Sequence, residues 1–291
     1  MTLSAPFIEQ NWPLTQVALQ EMLRTFDTRL VQRLTSAQGD FVIKTTNQWP
    51  LDEVMQRHTF IFRFLQSRNF SWAPQLLPTT SGQPAQKYAG QYVYILSYHE
   101  SQSAKPTPAA YNQLGHLTAK LHKLRDYPYP YLFTVADVLP EMMTQANDQP
   151  FAAEYRQLVQ TLPDFAQFPN TLIHGEILGN FVQDDDGKIC ILDWDEAGIG
   201  TRILDLGHPL LTIFTTEDLD VDRAGAIAFY RGYLAQTSLT KLEISHIFEA
   251  GLFYALRYII YGDTAKRWQR VQFALANRDN FVSLIKDAMA E

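Results

Sequence analysis

Residues 172–205 read LIHGEILGNFVQDDDGKICILDWDEAGIGTRILD, and this is the most informative stretch of the chain for its chemistry. Two short apolar pieces, residues 181–183 and 189–192, flank a turn of composition DDDG, so the pattern predicts a hairpin. Polar side chains stand beside these pieces: His174, Glu176, Asn180, Asp193 and Asp195. Mg²⁺ prefers carboxylate and amide oxygens as ligands. We therefore expect Asn180 and Asp193 to hold one magnesium ion.

Upstream of this stretch, the first hundred residues have the pattern of a small sheet with one helix. Residues 30–34 and 41–45 predict two strands joined by a turn of composition SAQGD, and residues 92–97 predict a further strand. A helix is predicted from about residue 51 to residue 69. Lys44 lies in the second strand, among apolar and β-branched residues.

Beyond residue 108 the pattern becomes helical. Five apolar residues spaced 4, 3, 4 and 3 apart line one face of a helix: Ala110, Leu114, Leu117, Leu121 and Leu124. A second helix is predicted over residues 151–162, and from Ala224 the pattern is helical almost to the end. The sequence thus predicts a sheet-bearing N-terminal part and a larger, mainly helical C-terminal part.

The order of these motifs resembles that of the aminoglycoside phosphotransferase and choline kinase family, the small-molecule relatives of protein kinases. That family has an H-G-D loop followed by an Asn, then an Asp in an I-D-F-D-like strand, and later a D-L pair. The matching residues here are His174-Gly175-Glu176, Asn180, Asp193 within ILDWD, and Asp205-Leu206. The Val42-Ile43-Lys44 segment resembles the strand whose lysine reaches the nucleotide phosphates.

The resemblance implies an α+β, two-lobed, protein-kinase-like fold. Residues 1–98 would form a small nucleotide-binding lobe with an antiparallel sheet. Residues 99–291 would form a larger, mainly helical lobe that carries the catalytic loop and the acceptor site. The connection would fall near residue 98, where the polar stretch YHESQSAKPTP begins.

The resemblance also implies ATP- and Mg²⁺-dependent transfer of a phosphoryl group to a hydroxyl of a small molecule. Such enzymes mainly position groups and stabilise charge around metal-bound phosphates. Lys44 would contact phosphate oxygens, Asn180 and Asp193 would bind magnesium, and Asp205 would brace the catalytic loop. Glu176 would receive the proton of the acceptor, with His174 beside it in the same loop. The backbone of Leu96, Ser97 and Tyr98 would hold the adenine.

Three features depart from the family pattern. Position 176 is Glu rather than Asp, and it stands four residues before Asn180 rather than five. The helix glutamate that normally pairs with the lysine is displaced, since His58 occupies its expected position and Glu53 lies more than one turn earlier. No glycine-rich phosphate loop is present, because Gly39 is the only glycine in the first 81 residues. An alternative function follows: a catalytically impaired, kinase-like protein that binds a nucleotide or metabolite as a sensor or scaffold.

Several of these residues also allow purely structural interpretations. A lysine such as Lys44 often lies at a sheet edge with its amine in water, and Asp193 and Asp195 could belong to a turn after a strand. The late aromatic residues are typical of a helix core, although the family's C-terminal helices also wall the acceptor site: Phe253, Tyr254, Tyr258, Tyr261 and Trp268.

The composition limits which classes of partner we expect the protein to bind. Asp and Glu outnumber Lys and Arg by 31 to 24, giving a formal charge of −7, and this acidity disfavours binding to a nucleic-acid polymer. The single cysteine, Cys190, allows no intrachain disulfide and suits a reducing compartment. The sequence shows no secretory leader and no apolar run long enough for a membrane span, so we expect a cytoplasmic protein.

The acceptor is left open among an aminoglycoside, an amino alcohol, homoserine and a sugar-like compound, because a fold does not fix its substrate. The oligomeric state is also left open.

Overall fold

The computed structural model describes residues 3–26, 29–46, 51–100, 106–131 and 133–290, except for the side chains of residues 25, 26 and 51–56. The chain forms two compact units. The first unit comprises residues 1–102 and 182–195, and the second comprises residues 103–181 and 196–291. The division into functional lobes at residues 1–98 and 99–291 stays a prediction.

The first unit is built on an antiparallel sheet. Its strands are β1 (Ala18–Phe26), β2 (Arg29–Ser36), β3 (Gly39–Thr46), β4 (Leu76–Leu77), β5 (Gln86–Tyr88) and β6 (Gln91–Ser97). They run in the order β1-β2-β3-β6-β4, with β5 also paired to β6. The strands predicted over residues 30–34, 41–45 and 92–97 are confirmed as β2, β3 and β6, whereas β1 was not predicted.

Two helices and a hairpin complete this unit. Helix α1 (Ala5–Asn11) precedes the sheet, and helix α2 (Leu51–Ser67) confirms the helix predicted from about residue 51. Strands β8 (Phe181–Gln183) and β9 (Ile189–Ile191) pair with each other across the DDDG turn, as predicted. The backbone N–H of Ile191 donates to the carbonyl of Trp72 at 2.6 Å, which fixes the hairpin to the segment after α2.

The second unit is mainly helical. Its helices are α3 (Pro108–Leu121), α4 (Val135–Gln145), α5 (Ala152–Thr161), α6 (Ile203–Thr212), α7 (Arg223–Leu234), α8 (Lys241–Arg257), α9 (Thr264–Ala276) and α10 (Arg278–Ala290). Strands β7 (Asn170–Ile173) and β10 (Gly198–Thr201) form a short antiparallel pair. Strand β7 ends immediately before His174 and so positions the loop that follows. No helix in the described part of the chain is both long and apolar enough to cross a membrane.

Close helix packing in this unit depends on glycines. A Cβ atom added to Gly115 of α3 would lie 2.1 Å from the backbone oxygen of Phe229 in α7, and one added to Gly232 of α7 would lie 2.0 Å from the backbone oxygen of Asn112. Helices α6 and α8 meet in the same way, since a Cβ on Gly207 would lie 2.5 Å from the backbone nitrogen of Gly251. Backbones this close leave no room for any other residue type.

Candidate active site

Lys44 lies at the centre of a buried charge cluster in the first unit. Strand β3 pairs on one side with β2 and on the other with β6, so Lys44 is on a central strand and only 8% exposed. Its ammonium group donates to both carboxylate oxygens of Asp195 at 2.9 Å and to Oδ1 of Asp193 at 3.2 Å. The interpretation of Lys44 as an edge residue with its amine in water is therefore wrong.

Lys44 and Asp195 help to hold each other in the charged state. Burial is the largest single influence and works to lower the pKa of Lys44, but the charges of Asp195, Tyr94 and Asp193 and the hydrogen bond with Asp195 together outweigh it, so the pKa is raised. Burial likewise is the largest influence on Asp195 and works to raise its pKa, but the charges of Lys44, His58 and Arg29 and the hydrogen bond from Lys44 together hold the pKa well below its usual range. Tyr94, whose hydroxyl donates to Asp195 at 3.4 Å, has its pKa raised chiefly by burial. Lys44 and Asp195 therefore remain a charged pair over the ordinary range of pH.

Among the described side chains, Asp195 is the main partner of Lys44. His58 of α2 is buried, and its Nδ1 lies 3.6 Å from Oδ1 of Asp195. Burial lowers the pKa of His58, which favours the neutral ring. The side chain of Glu53, the other residue considered for this role, lies outside the described residues.

Asp193 differs from Asp195 in exposure and in backbone conformation. The side chain of Asp193 is 36% exposed, against 7% for Asp195. Asp193 also has a φ of 55°, in the left-handed region that Asp and Asn tolerate better than most residues. Its carboxylate therefore faces outward from the buried pair, with Oδ2 3.8 Å from Nη1 of Arg24.

The side-chain oxygens of Asp193 and Asn180 are the kind of ligand that magnesium binds. Mg²⁺ is usually held by one or two carboxylates together with phosphate oxygens and waters, and the exposed Asp193 carboxylate is such a donor. Among the described residues, no three His, Cys, Asp or Glu side chains form a group that could hold a metal ion. Because Asn180 belongs to the second unit and Asp193 to the first, their sharing of one ion stays a prediction.

The segment predicted to hold adenine lies where β6 ends. Leu96 is buried and pairs with Val42 of β3. The backbone N–H of Ser97 donates to the carbonyl of Gln75 at 2.9 Å, and that of Tyr98 donates to the carbonyl of Asp40 at 3.2 Å. Both donors are thus occupied within the unit, and the adenine-binding role of Leu96, Ser97 and Tyr98 stays a prediction.

The loop after β7 is fixed by a buried carboxylate of the second unit. Asp205 of α6 accepts the backbone N–H of His174 at 2.9 Å and that of Gly175 at 2.6 Å. Nε2 of His122 lies 3.1 Å from the same carboxylate, and its Nδ1 lies 2.9 Å from the hydroxyl of Tyr233. Burial works to raise the pKa of Asp205, but these contacts outweigh it and the pKa is lowered. Asp205 thus braces the loop, as expected from the motif.

Glu176 is held by contacts on both sides of its carboxylate. The hydroxyl of Tyr258, at the end of α8, donates to its Oε1, and Nδ2 of Asn180 lies 3.5 Å from its Oε2 and donates to its backbone oxygen at 3.2 Å. The backbone N–H of Glu176 donates to Nδ1 of the buried His174 at 3.2 Å. His174 thus orients the loop, and Asn180 directs its amide nitrogen at Glu176, which leaves its Oδ1 as the group able to bind a cation.

Tyr258 is the site residue that sequence analysis did not assign. Its pKa is raised by burial first and by the charges of Glu196 and Glu176 next, so it stays a hydrogen-bond donor. Beside it, the hydroxyls of Tyr131 and Tyr254 lie 2.8 Å apart. The only signal for it was membership in the late aromatic group, because it stands 82 residues from Glu176 along the chain.

Comparisons with known proteins agree with this architecture. An aminoglycoside phosphotransferase from Alicyclobacillus acidocaldarius superposes with a TM-score of 0.66 and 15% identity, covering 100% of this chain and 96% of that one. Choline kinase from Cryptosporidium parvum gives a TM-score of 0.65 with 12% identity, over 92% and 90% of the two chains. Spectinomycin phosphotransferase, solved with ADP and spectinomycin, gives 0.59 and 16%, over 98% and 96%.

These likenesses confirm the α+β, protein-kinase-like fold that the motifs predict. A comparison of the sequence with a model of the family tests the resemblance. The family model of the phosphotransferase enzyme family (APH) matches residues 20–239, which is more than two thirds of the chain. The matched range includes Lys44, the loop from His174 to Asn180 and both cluster aspartates, and it shows that this chain belongs to the phosphotransferase enzyme family.

Proposed function

We propose that this protein transfers a phosphoryl group from ATP, with Mg²⁺, to a hydroxyl of a small molecule. The observation that carries the proposal is the buried Lys44, whose ammonium is held by Asp195 while the more exposed Asp193 remains available as a ligand. Support for the nucleotide comes from the structurally similar spectinomycin phosphotransferase, which was solved with ADP. Support for a hydroxyl-bearing acceptor comes from the similarity to aminoglycoside and choline kinases.

Each residue of the site has a role in this proposal. Lys44 positions phosphate oxygens, and Asp193 and Asn180 hold magnesium, which supplies charge neutralisation at the phosphates when it is bound. Glu176 accepts the proton of the acceptor hydroxyl, which is a step usually worth about 10²- to 10⁴-fold in rate. The acceptor is one of the classes predicted above: an aminoglycoside, an amino alcohol, homoserine or a sugar-like compound.

A second candidate is a kinase-like protein that binds the nucleotide without turnover. The observation that favours it is the hydrogen bond from Tyr258 to Glu176, because this contact occupies one oxygen of the carboxylate that would act as the base. The presence of Glu rather than Asp at position 176, and its spacing of four residues from Asn180, also favour this second candidate.

The experiment is a transfer assay with γ-labelled ATP and Mg²⁺ against a panel of the four acceptor classes. We expect label to appear in one class of acceptor, and we expect Asp193→Asn to abolish this transfer. The matched control is Asp186→Asn, which removes the same charge from the exposed turn of the hairpin that precedes Asp193 and should leave transfer unchanged. Nucleotide binding without transfer to any acceptor would favour the second candidate, and absence of nucleotide binding would contradict both.

A further inference from the structure

Two arginines, one near the end of β1 and one at the start of β2, both reach the cluster around Lys44. Nη1 of Arg29 donates to Oδ2 of Asp195 at 3.3 Å, and Nη1 of Arg24 lies 3.8 Å from Oδ2 of Asp193. The side chain of Arg24 is 60% exposed and that of Arg29 is 32% exposed. Each guanidinium group therefore touches a cluster carboxylate while keeping part of its surface open to solvent.

The register of the sheet places Arg24 on this face. Val31 of β2 lies opposite Lys44 of β3 and also opposite Arg24 of β1, and directly opposed residues on neighbouring strands share a face. Strand β1 contains two register shifts, one on each side of Met22. If the register set by the pairing of Leu19 with Leu34 continued without these shifts, Met22 would lie opposite Val31. The shifts therefore exchange a methionine for an arginine at this position, as bulges do where a side chain must be redirected.

Arg29 reaches the same face by strand alternation. It stands two residues before Val31 on β2 and pairs with Thr46, which stands two residues after Lys44 on β3. Residues two apart on a strand point to the same side of the sheet. The two arginines and the lysine are thus three cations on one face of one sheet.

Counted over these five side chains alone, the arginines change the sign of the net charge. Lys44 alone, with Asp193 and Asp195, sums to 1 − 2 = −1, which would repel a phosphate chain. With Arg24 and Arg29, each within 4 Å of one of these carboxylates, the sum becomes 3 − 2 = +1. A net positive face attracts phosphate oxygens, and a guanidinium group matches their geometry with two parallel hydrogen bonds.

We propose that Arg24 and Arg29 bind the terminal phosphates of the nucleotide and so replace the glycine-rich loop that this chain lacks. The proposal rests on the proposed function, since it names the residues that hold the phosphates of the same donor. The contact between Arg24 and Asp193 is long and exposed, and such ion pairs contribute little to stability. Arg24 can therefore exchange the aspartate for a phosphate oxygen, which also releases Asp193 to bind a cation.

The experiment measures the binding of ATP, ADP and AMP, each with Mg²⁺, to the intact protein and to Arg24→Gln, Arg29→Gln and the double variant. We expect a loss in ATP affinity of about tenfold for each arginine, a smaller loss for ADP and none for AMP. Replacement by lysine at either position should restore part of the affinity, because charge is retained while the two-pronged geometry is lost.

Arg63→Gln is the matched control. Arg63 lies in α2 of the same unit, is exposed, and its Nη2 donates to the backbone oxygen of Gly82 at 3.2 Å. This variant should bind all three nucleotides like the unmodified protein, and thermal melting of every variant verifies folding. Unchanged ATP affinity in the double variant, or an equal loss for ATP and AMP, would overturn the proposal.

Inorganic tripolyphosphate, titrated alone, separates this inference from the proposed function. If tripolyphosphate binds in a manner that depends on Arg24 and Arg29 but no nucleotide binds, the phosphate site is supported and the proposed function is contradicted. Nucleotide binding with no contribution from either arginine would retain the proposed function and contradict the phosphate site. Failure to bind either ligand would contradict both.

Discussion

Asp193 and Asp195 stand two residues apart and both contact Lys44, yet the structure gives them different tasks. Asp195 is buried and contributes both oxygens to the ammonium group, whereas Asp193 contributes one oxygen and is partly exposed. Removing one partner from a buried ion pair leaves an uncompensated charge, whereas an exposed partner is replaced by water. The two residues should therefore respond differently to the same substitution.

We expect Asp195→Asn to lower the free energy of unfolding by about 3–5 kcal/mol, since it leaves the buried Lys44 without its main counter-charge. Asp193→Asn should cost less than about 1 kcal/mol, because the site is partly exposed and Asn tolerates the positive φ found there. Urea unfolding of both variants measures the difference. Equal losses at the two positions would contradict the separation of roles.

His208 provides a test of pH dependence. It lies in α6, buried, with its ring 4.9 Å from that of Tyr254, and its Nδ1 has no hydrogen-bond partner in the described part of the chain. Burial lowers the pKa of His208 to about 4, from an ordinary value of 6.5. Between these two values the unfolded chain binds a proton that the folded chain does not, so stability rises with pH.

The free energy of unfolding should accordingly fall as the pH drops from about 6.5 to about 4, with His208 contributing about 3 kcal/mol of this loss. His208→Phe keeps a ring against Tyr254 and removes the titration, so its stability should decline less steeply over the same interval. Urea unfolding at several pH values in this interval measures both slopes. Parallel slopes would show that other groups cause the whole effect.

At the residue scale, local motifs were predictable and distant partnerships were not. The sequence pattern singled out Lys44, Glu176, Asn180 and Asp193 because they occur in short, ordered motifs. The pairing of Lys44 with Asp195 joins residues 151 positions apart, and neither residue type nor spacing indicates which of two nearby aspartates is buried. That choice depends on the path of the chain after β9, where a positive φ at Asp193 turns the backbone.

At the element scale, the strands that were predicted share a composition that β1 lacks. β3 and β6 contain β-branched and aromatic residues, which favour strands. β1 reads ALQEMLRTF, and Ala, Leu, Gln, Glu, Met and Arg all favour helices. Pairing with β2 overrides this preference, and a register with two shifts cannot be derived from the strand's own residues. No feature of the sequence therefore predicts that Arg24 lies on the same face of the sheet as Lys44.

The packing of α3 against α7 supplies a prediction at the same scale. Gly232→Ala improves helix propensity by about 1 kcal/mol, but its Cβ would lie 2.0 Å from the backbone oxygen of Asn112. A backbone atom cannot yield as a side chain can, so we expect a net loss of about 3 kcal/mol in the free energy of unfolding. Urea unfolding measures it.

Gly179→Ala is the matched control for that change. Gly179 has no atom within 4 Å of the position of an added Cβ, and its backbone is not in the positive-φ region. The same substitution there should leave stability unchanged or raise it by about 0.4–1 kcal/mol, because it restricts the unfolded chain. Similar effects at both glycines would contradict the requirement for close contact between α3 and α7.

At the scale of the whole molecule, identity of 12–16% with its structural neighbours leaves few residues in common, although the fold is shared. Lys44, the loop from His174 to Asn180 and the strand before Asp193 follow one another as the fold requires. A fold tolerates wide variation in its core if patterning and volume are retained. Those three motifs were therefore enough to predict the architecture, whereas the acceptor depends on residues that vary within it.

Ligand binding should be visible in the stability of the whole molecule. A ligand present at 100 times its dissociation constant adds about 2.7 kcal/mol to the free energy of unfolding when only the folded state binds it. We expect ATP to stabilise the protein by about this amount when Mg²⁺ is present, and by less when the metal is removed with a chelator. Urea unfolding with and without Mg²⁺ makes the comparison.

The dependence on Mg²⁺ should disappear in Asp193→Asn and persist in Asp186→Asn, because only the first change removes a proposed ligand of the ion. Both substitutions remove one negative charge, from positions on either side of β9, so a general effect of the net charge of the protein would act on both. Equal stabilisation of the unmodified protein by ATP with and without metal would contradict the assignment of Asp193 as a magnesium ligand. Stabilisation by ATP in neither condition would contradict the nucleotide site itself.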